Sequence, residues 1–351
     1  VGNNSLENAR IKLTVDADGA IASFIDKAQP NHELAGGNGG LKLNDFSAND
    51  SNGSAILVEN SGPVSVTLKC VSQGGRPHTT RITLARDSDR IEIRNEITEN
   101  FSDVRHWAFS FNLSSPEVHT EEVGAIIRAK KKTDGGDYAD THARYDYLTL
   151  NHFADISNGA NTRGVTLANA DCAFAKLGQS TPGSLDTTTP QIYVLAGGQV
   201  DGSWLGIRGQ NGATYFLQRF GLRAHGAYDQ TAAMKFGLEF QNPLVTAPIV
   251  GLTNSPYPAT NYSVLAMSDP QVLLWTLKPH EEGIERGLVA RVWNQSSQAR
   301  RIQLTLAGSL ASAQRVTHIE TRIEGLPVVK GILDTTIAGQ RIETYVLKPQ
   351  P

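Results

Sequence analysis

The densest group of chemically capable side chains in this 351-residue chain is Asp134, Asp137, Asp140 and His142, followed at once by Arg144 and accompanied by Tyr138, Tyr145 and Tyr147. Closely spaced carboxylates suit a hard cation. Carboxylates beside aromatic rings also suit a sugar, accepting hydroxyl hydrogen bonds while ring faces cover the apolar C–H patches. Substrate contact is therefore expected from Asp140, His142, Arg144 and Tyr145, with the Arg144 guanidinium as a donor. The same acids equally suit a solvated loop that neutralises Lys130, Lys131 and Lys132. Trp204, after the turn Asp201-Gly202-Ser203, is a further substrate-binding candidate, as an exposed platform for a sugar ring. Trp107 and Trp275 fall in apolar strands and are expected in the core.

Other chemistries find little support. None of the nine histidines stands at His-x-His or His-Glu-x-x-His spacing, so no metal ligands are assigned. There is no Gly-x-Ser-x-Gly elbow after a strand, and no catalytic residue is assigned either. The two cysteines, Cys70 and Cys172, fit no metal or redox motif; Cys70 reads as a small buried thiol in an alternating strand. A net charge of -3 argues against nucleic acid as the main partner. No apolar run approaches the roughly 20 residues that span a bilayer, so a membrane partner is not expected. The polar opening Val1-Gly2-Asn3-Asn4-Ser5 suits a piece of a longer polypeptide.

The elements that would position these residues are strands. Ile11, Leu13 and Val15 alternate, Asp18-Gly19 turns the chain back, and Ile21 to Ile25 follows, a strong hairpin signal. Val64 to Cys70, Ile82 and Leu84, Ile91 and Ile93, and Trp107 to Leu113 alternate in turn, each run bounded by turn-forming residues. No long stretch has a convincing 3.6-residue period. Hydrophobic residues make up 39% of the chain, enough for a real core. The expected class is all-β, with antiparallel sheets packed face to face. The proline-rich stretch from Asn254 to Asp269 is the best linker. Beyond it, Val272–Leu277, Leu288–Trp293, Ile302–Leu306, Val316–Glu320 and Ile342–Leu347 read as strands of a smaller sandwich.

A set of short motifs occurs in a telling order. Leu6-Glu7-Asn8, Asp16-Ala17-Asp18-Gly19 and Ile25-Asp26-Lys27 open the chain. Phe153-Ala154-Asp155-Ile156-Ser157 and Arg163 to Asn169 follow, then Asn242-Pro243-Leu244. Lys278-Pro279, Glu281-Glu282-Gly283 and Arg291 close it. In this order the chain resembles the C-terminal β region of glycoside hydrolase family 38, the α-mannosidases. It departs from that pattern at His152, where Arg is common, and at Asn294, where an acidic residue is frequent.

The resemblance implies a galactose-mutarotase-like β-supersandwich over residues 1–260 and a small C-terminal β-sandwich over 261–351. It implies a β portion of a retaining glycoside hydrolase acting on mannosides. Its partner would be an upstream catalytic domain of the same polypeptide, which holds the zinc and the catalytic acids. This chain would line the rim of that domain's sugar site and carry no cofactor of its own. Two other readings stay open. A free-standing carbohydrate-binding module would show an aromatic-lined groove, and a mutarotase-like epimerase would need a His–Glu pair in a sheet concavity. A partner of a catalytic domain would show exposed apolar surface instead.

Overall fold

The computed structural model describes residues 2–29, 32–46, 53–201, 205–206, 208–248, 250, 258 and 260–350. It is built almost wholly of antiparallel strands, in two compact units, Val1–Pro243 and Leu244–Pro351. The division lies ahead of the proline-rich stretch, of which 254–257 and 259 fall outside the described residues. The strands Phe216–His225 and Val272–Pro279, on either side of that stretch, belong to different sheets.

The first unit is a supersandwich. Its eight-stranded sheet runs Ser5–Glu7, Ile11–Val15, Ile21–Asp26, Leu43–Asp45, Arg105–Ser110, Gln191–Gly197, Phe174–Leu177, Leu148–Thr149. Its nine-stranded sheet runs Ala125–Arg128, Glu117–Glu122, Phe153–Ser157, Gly164–Asn169, Phe216–His225, Arg90–Ile97, His78–Ala85, Ser65–Ser72, Gly53–Ser61. Period-two alternation explains the packing: inward residues such as Phe24, Trp107 and Phe109 meet Ile82, Ile93, Leu167 and Leu222 in one core. Cys70 is buried there, and that burial pushes its thiol up to about 12.

The opening motifs interlock. Asp18-Gly19 makes the expected turn, with Gly19 at φ 95, and a Cβ there would lie 2.5 Å from Thr80 Cβ. Glycine is thus required both by the backbone and by the close approach. The Glu7 carboxylate pairs with Lys27, whose ammonium also donates to Asn8 O. The Asn8 amide donates to Ala85 O and Ser88 O, and its oxygen accepts from the amides of Arg10 and Ile11. These motif residues fasten the first hairpin rather than face a substrate.

One element contradicts the sequence reading. Gln230–Gln241 is an α-helix, α1, capped by Asp229, whose side chain accepts from the amides of Thr231 and Ala232. It has Gly237 inside it and no clean apolar stripe, so its period is faint. Packing decides its state: α1 lies on Phe153–Ser157 and Gly164–Asn169. Arg223 donates to Ala232 O and stacks its guanidinium over Phe236. At Gly237 an added Cβ would lie 3.0 Å from both Cβ and O of His152, so this glycine admits the strand backbone.

The second unit is a small sandwich. One sheet runs Leu265–Met267, Arg300–Leu306, Ile332–Ile337, Val328–Val329, and the other Val272–Pro279, Leu288–Asn294, Arg341–Pro349, Leu310–Val316, Arg322–Leu326. Their core holds Val272, Val292, Ile302, Leu333 and Tyr345. The segment Val316–Glu320, expected as a strand, is mostly turn: the strand ends at Val316, Thr317 N donates to Thr321 O, and Glu320 is left-handed at φ 65.

Asn294, where the resembled motif pattern often has an acid, is fixed by what its amide touches. Fully buried, it donates through Nδ2 to the carbonyls of Gln298, Ile337 and Ala338, while its oxygen accepts from Ser296 N. A carboxylate there would face those carbonyls without a proton to offer. Asn294→Asp is expected to lower stability by about 3 kcal/mol near neutral pH, read as a drop in the urea midpoint, whereas an unchanged midpoint would refute this role.

Candidate functional site

The polar residues of the nine-stranded sheet form a row on its outer face. Strand register sets His119 opposite Asp155, Asp155 opposite Thr166, and Thr166 opposite Arg223. Their neighbours Val118, Ile156, Val165 and Leu222 point the other way, into the core. Asp155 is fully buried; its Oδ2 accepts from Thr166 Oγ1 at 2.6 Å and meets His225 Nε2 at 2.8 Å. Gly164 makes room for that imidazole: a Cβ there would lie 2.5 Å from His225 Cε1. The other nitrogen, Nδ1, sits 3.1 Å from Gly226 O.

Both ring nitrogens of His225 therefore face oxygen acceptors, which the doubly protonated ring alone satisfies as donor. Burial opposes the charge, but the hydrogen bond and the charge of Asp155, with Gly226 O, outweigh it and raise the His225 pKa. Alongside, the His119 ring stacks on Tyr228 with centroids 4.2 Å apart, and burial lowers the His119 pKa. Three buried atoms in this group have no hydrogen-bond partner among the described residues: His119 Nδ1, Asp155 Oδ1 and Tyr228 Oη.

A second pair lies close by. Glu121, fully buried, accepts through Oε2 from His152 N and stands 2.8 Å from His152 Nδ1, while Oε1 accepts from Gly124 N. Burial would raise the Glu121 pKa; the hydrogen bonds from His152 and the two amides reverse the sign and lower it. His152, one of the two departures from the resembled motif pattern, is thus tied to an acid. This is a His–Glu pair of the kind an epimerase needs, but α1 closes over it at Gly237 and both carboxylate oxygens are engaged. It is built for holding, not for passing protons to a sugar.

The predicted loop is folded by its own acids. Asp137 Oδ2 accepts from Arg128 N, and Asp140 Oδ1 accepts from both the amide and hydroxyl of Thr133. Tyr138 donates to Glu122 and Tyr145, buried, donates to Ala139 O beneath the Lys131 ammonium. Arg144 pairs with Asp146. His142 is exposed, with a left-handed φ of 59. The loop thus brings Asp140, Tyr145 and Arg144 into one folded unit and leaves His142 outward. Tyr147 leaves the loop and bonds His106 on the eight-stranded sheet. Trp204 lies outside the described residues. Trp107 is fully buried, and Trp275, half-buried, sits edge-on to Trp293.

Sequence reasoning noted His152 and Asp155 only as motif positions and missed Glu121 and His225. Sequence separation hid them: 31 residues separate the first pair and 70 the second, and only strand register brings them together. Among the described residues no group of three or more His, Cys, Asp or Glu is placed to hold a metal. The closing element of the second unit is also self-contained. Lys278 bridges Glu320 and Glu281, Glu281 N donates to Glu320, and Arg291 donates to His318 O.

No known protein family and no curated protein matches the sequence. Solved structures do match in fold. An α-mannosidase from Enterococcus faecalis V583 superposes with a TM-score of 0.68 at 14% identity, covering 99% of this chain and 42% of that one. A glycosyl hydrolase family 38 protein from Enterococcus faecalis gives 0.70 at 14% identity, over 99% of this chain and 44% of that one. The chain therefore spans less than half the length of those proteins while sharing their fold over nearly all of its own.

The His225–Asp155 pair has a signed pH consequence. Because the folded pKa is raised above the unperturbed value of about 6.5, its stabilisation is full below that value and fades as pH rises through the folded pKa. His225→Gln is expected to cost about 3 kcal/mol near pH 5.5 and clearly less near pH 9, measured by urea unfolding. A cost independent of pH would show that the ring is neutral throughout.

Proposed function

We propose that this chain is the β portion of an α-mannosidase-like retaining glycoside hydrolase. In this reading it packs on an upstream zinc-dependent catalytic domain outside these 351 residues and lines the rim of that domain's mannoside site. The observation that carries the proposal is the superposition of 99% of this chain on less than half of two proteins described as an α-mannosidase and a family 38 glycosyl hydrolase. The motif order read from the sequence supports it independently.

The acids and histidines described here do not fit a zinc site, because His152 and His225 are each committed to one carboxylate. Zinc and the reacting carboxylates would belong to the other domain, and no step is assigned to this chain. Its contribution would be shape and contact at the rim. Exposed Leu57, Val58 and Val64 on the edge hairpin are apolar surface that such packing would cover. The rim contacts proposed are His142, Arg144, Tyr145, Asp140 and Trp204. His142 would reach ligand directly, while Asp140 and Tyr145 would hold the loop that presents it.

The 351-residue chain by itself is expected to show no turnover of aryl α-mannosides, whereas the polypeptide with its upstream domain should turn them over and stop on zinc chelation. Turnover by the isolated chain that survives chelation would overturn the proposal.

Within the intact enzyme, His142→Ala is expected to raise KM or lower kcat about tenfold, or about 1.4 kcal/mol, with melting unchanged. Tyr145→Phe, which removes the hydroxyl that holds the loop, should act in the same direction. Kinetics within about twofold of the parent for both would return the loop to a purely structural role.

A further inference from the structure

Buried polar atoms without a protein partner gather at one place on the outer face of the nine-stranded sheet. In strand register His119 on Glu117–Glu122 opposes Asp155 on Phe153–Ser157, so the two side chains stand side by side on that face. The His119 ring stacks in turn on Tyr228, with centroids 4.2 Å apart and planes 11° from parallel. The charge of Asp155 acts on both rings, so the three groups form one cluster. His119 Nδ1, Asp155 Oδ1 and Tyr228 Oη are the atoms left unpaired among the described residues.

The cluster does not satisfy itself. Stacked rings present their hydrogen-bonding groups in parallel planes, so Tyr228 Oη and His119 Nδ1 point out of the stack's edge and not at each other. Asp155 engages Thr166 Oγ1 and His225 Nε2 through Oδ2, which leaves Oδ1 over. A direct bond from the Tyr228 hydroxyl to Oδ1 would still leave His119 Nδ1 unpaired. Burial lowers the His119 pKa and raises that of Tyr228, so near neutral pH the imidazole is uncharged and the phenol keeps its proton. One carboxylate oxygen, one hydroxyl and one ring nitrogen therefore each need a partner. Unpaired buried polar groups are costly, and native proteins seldom keep three together.

One water molecule meets all three needs. It would donate to Asp155 Oδ1 and accept from the Tyr228 hydroxyl. It would then donate to His119 Nδ1 or accept from it, according to the tautomer, so either form of the ring is served. The resulting count, about three hydrogen bonds, is the usual one for a buried water. A cation is served less well, because it would find a single charged oxygen whose carboxylate already faces the His225 ring.

We propose that His119 Nδ1, Asp155 Oδ1 and Tyr228 Oη together form a binding site for one ordered water molecule, which pins the entrance of α1 to the sheet. Tyr228 stands just before the helix cap Asp229, and its amide donates to Asn161 Oδ1. The water thus joins two strands and the lead-in to the helix at a single point. The site goes beyond the glycoside-hydrolase reading and does not rest on it, since it lies wholly within this chain.

The test is a crystal structure of the full 351-residue chain refined with its ordered waters, joined to nuclear magnetic resonance in solution. A density peak is expected about 2.7–3.2 Å from each of the three atoms. In solution the His119 ring protons should receive magnetisation from a water that stays long enough to tumble with the protein. Tyr228→Phe keeps the stacked ring and removes one of the three bonds. It should shorten the residence of that water roughly tenfold, about the effect of one hydrogen bond, with the amide spectrum elsewhere unchanged. Should that variant not fold, the peak in the parent chain decides. No peak, a direct Tyr228–Asp155 hydrogen bond in its place, a peak with the ligand number of a bound cation, or a residence time that Tyr228→Phe leaves unchanged would each overturn the proposal.

Discussion

Trp107 is where the two sheets of the first unit are locked together. Its ring stacks on Phe46, meets His78 edge-on, and its indole N–H donates to Gln218 Oε1 on the facing sheet. Phe109, two residues on, meets Phe220 edge-on at 5.1 Å. Aromatic side chains carry the largest apolar area per residue, and the one polar atom of this ring is paired. Because the strand period is two, putting Trp107 and Phe109 inside forces His106 and Ala108 to the outer face. The hollow at Ala108 on that face is a consequence of the core.

The same logic shapes the larger sheet. Val118, Ile156, Val165 and Leu222 fill the core, so His119, Asp155, Thr166 and Arg223 must share the opposite face. That face is not bathed in water throughout, since α1 lies over part of it. A buried carboxylate is tolerable only when it is paired and hydrogen-bonded. Asp155 and Glu121 meet that condition by taking a histidine each. The helix packs on the strand that carries Asp155 and, at Gly237, against His152, and the histidines make the burial of the acids affordable.

The charged side chains of this fold mostly serve the fold itself. Its acids, in the loop after Lys132 and in the closing turn around Glu320, mostly hold their own backbone. Among the groups it presents outward is His142, exposed on one loop. Asp140 and Tyr145 tie that loop to itself, which is how an exposed group acquires a defined position.

The chain's alternation, its Asp18-Gly19 turn and its inward-facing Trp107 were enough to determine an all-β sandwich, because period and turn chemistry are local properties. The motif order pointed correctly to the fold shared with much longer glycoside hydrolases. Three things were decided only in three dimensions. The helix Gln230–Gln241 has a weak period and a glycine within it, and docking on two strands stabilises it. The His152–Glu121 and His225–Asp155 pairs join residues far apart in sequence, and only register makes them neighbours. The loop acids looked like ligands because composition cannot tell a free carboxylate from one already accepting a backbone amide. Whether Asp140 faces a sugar or Thr133 depends on where the chain folds back, and that is a tertiary fact.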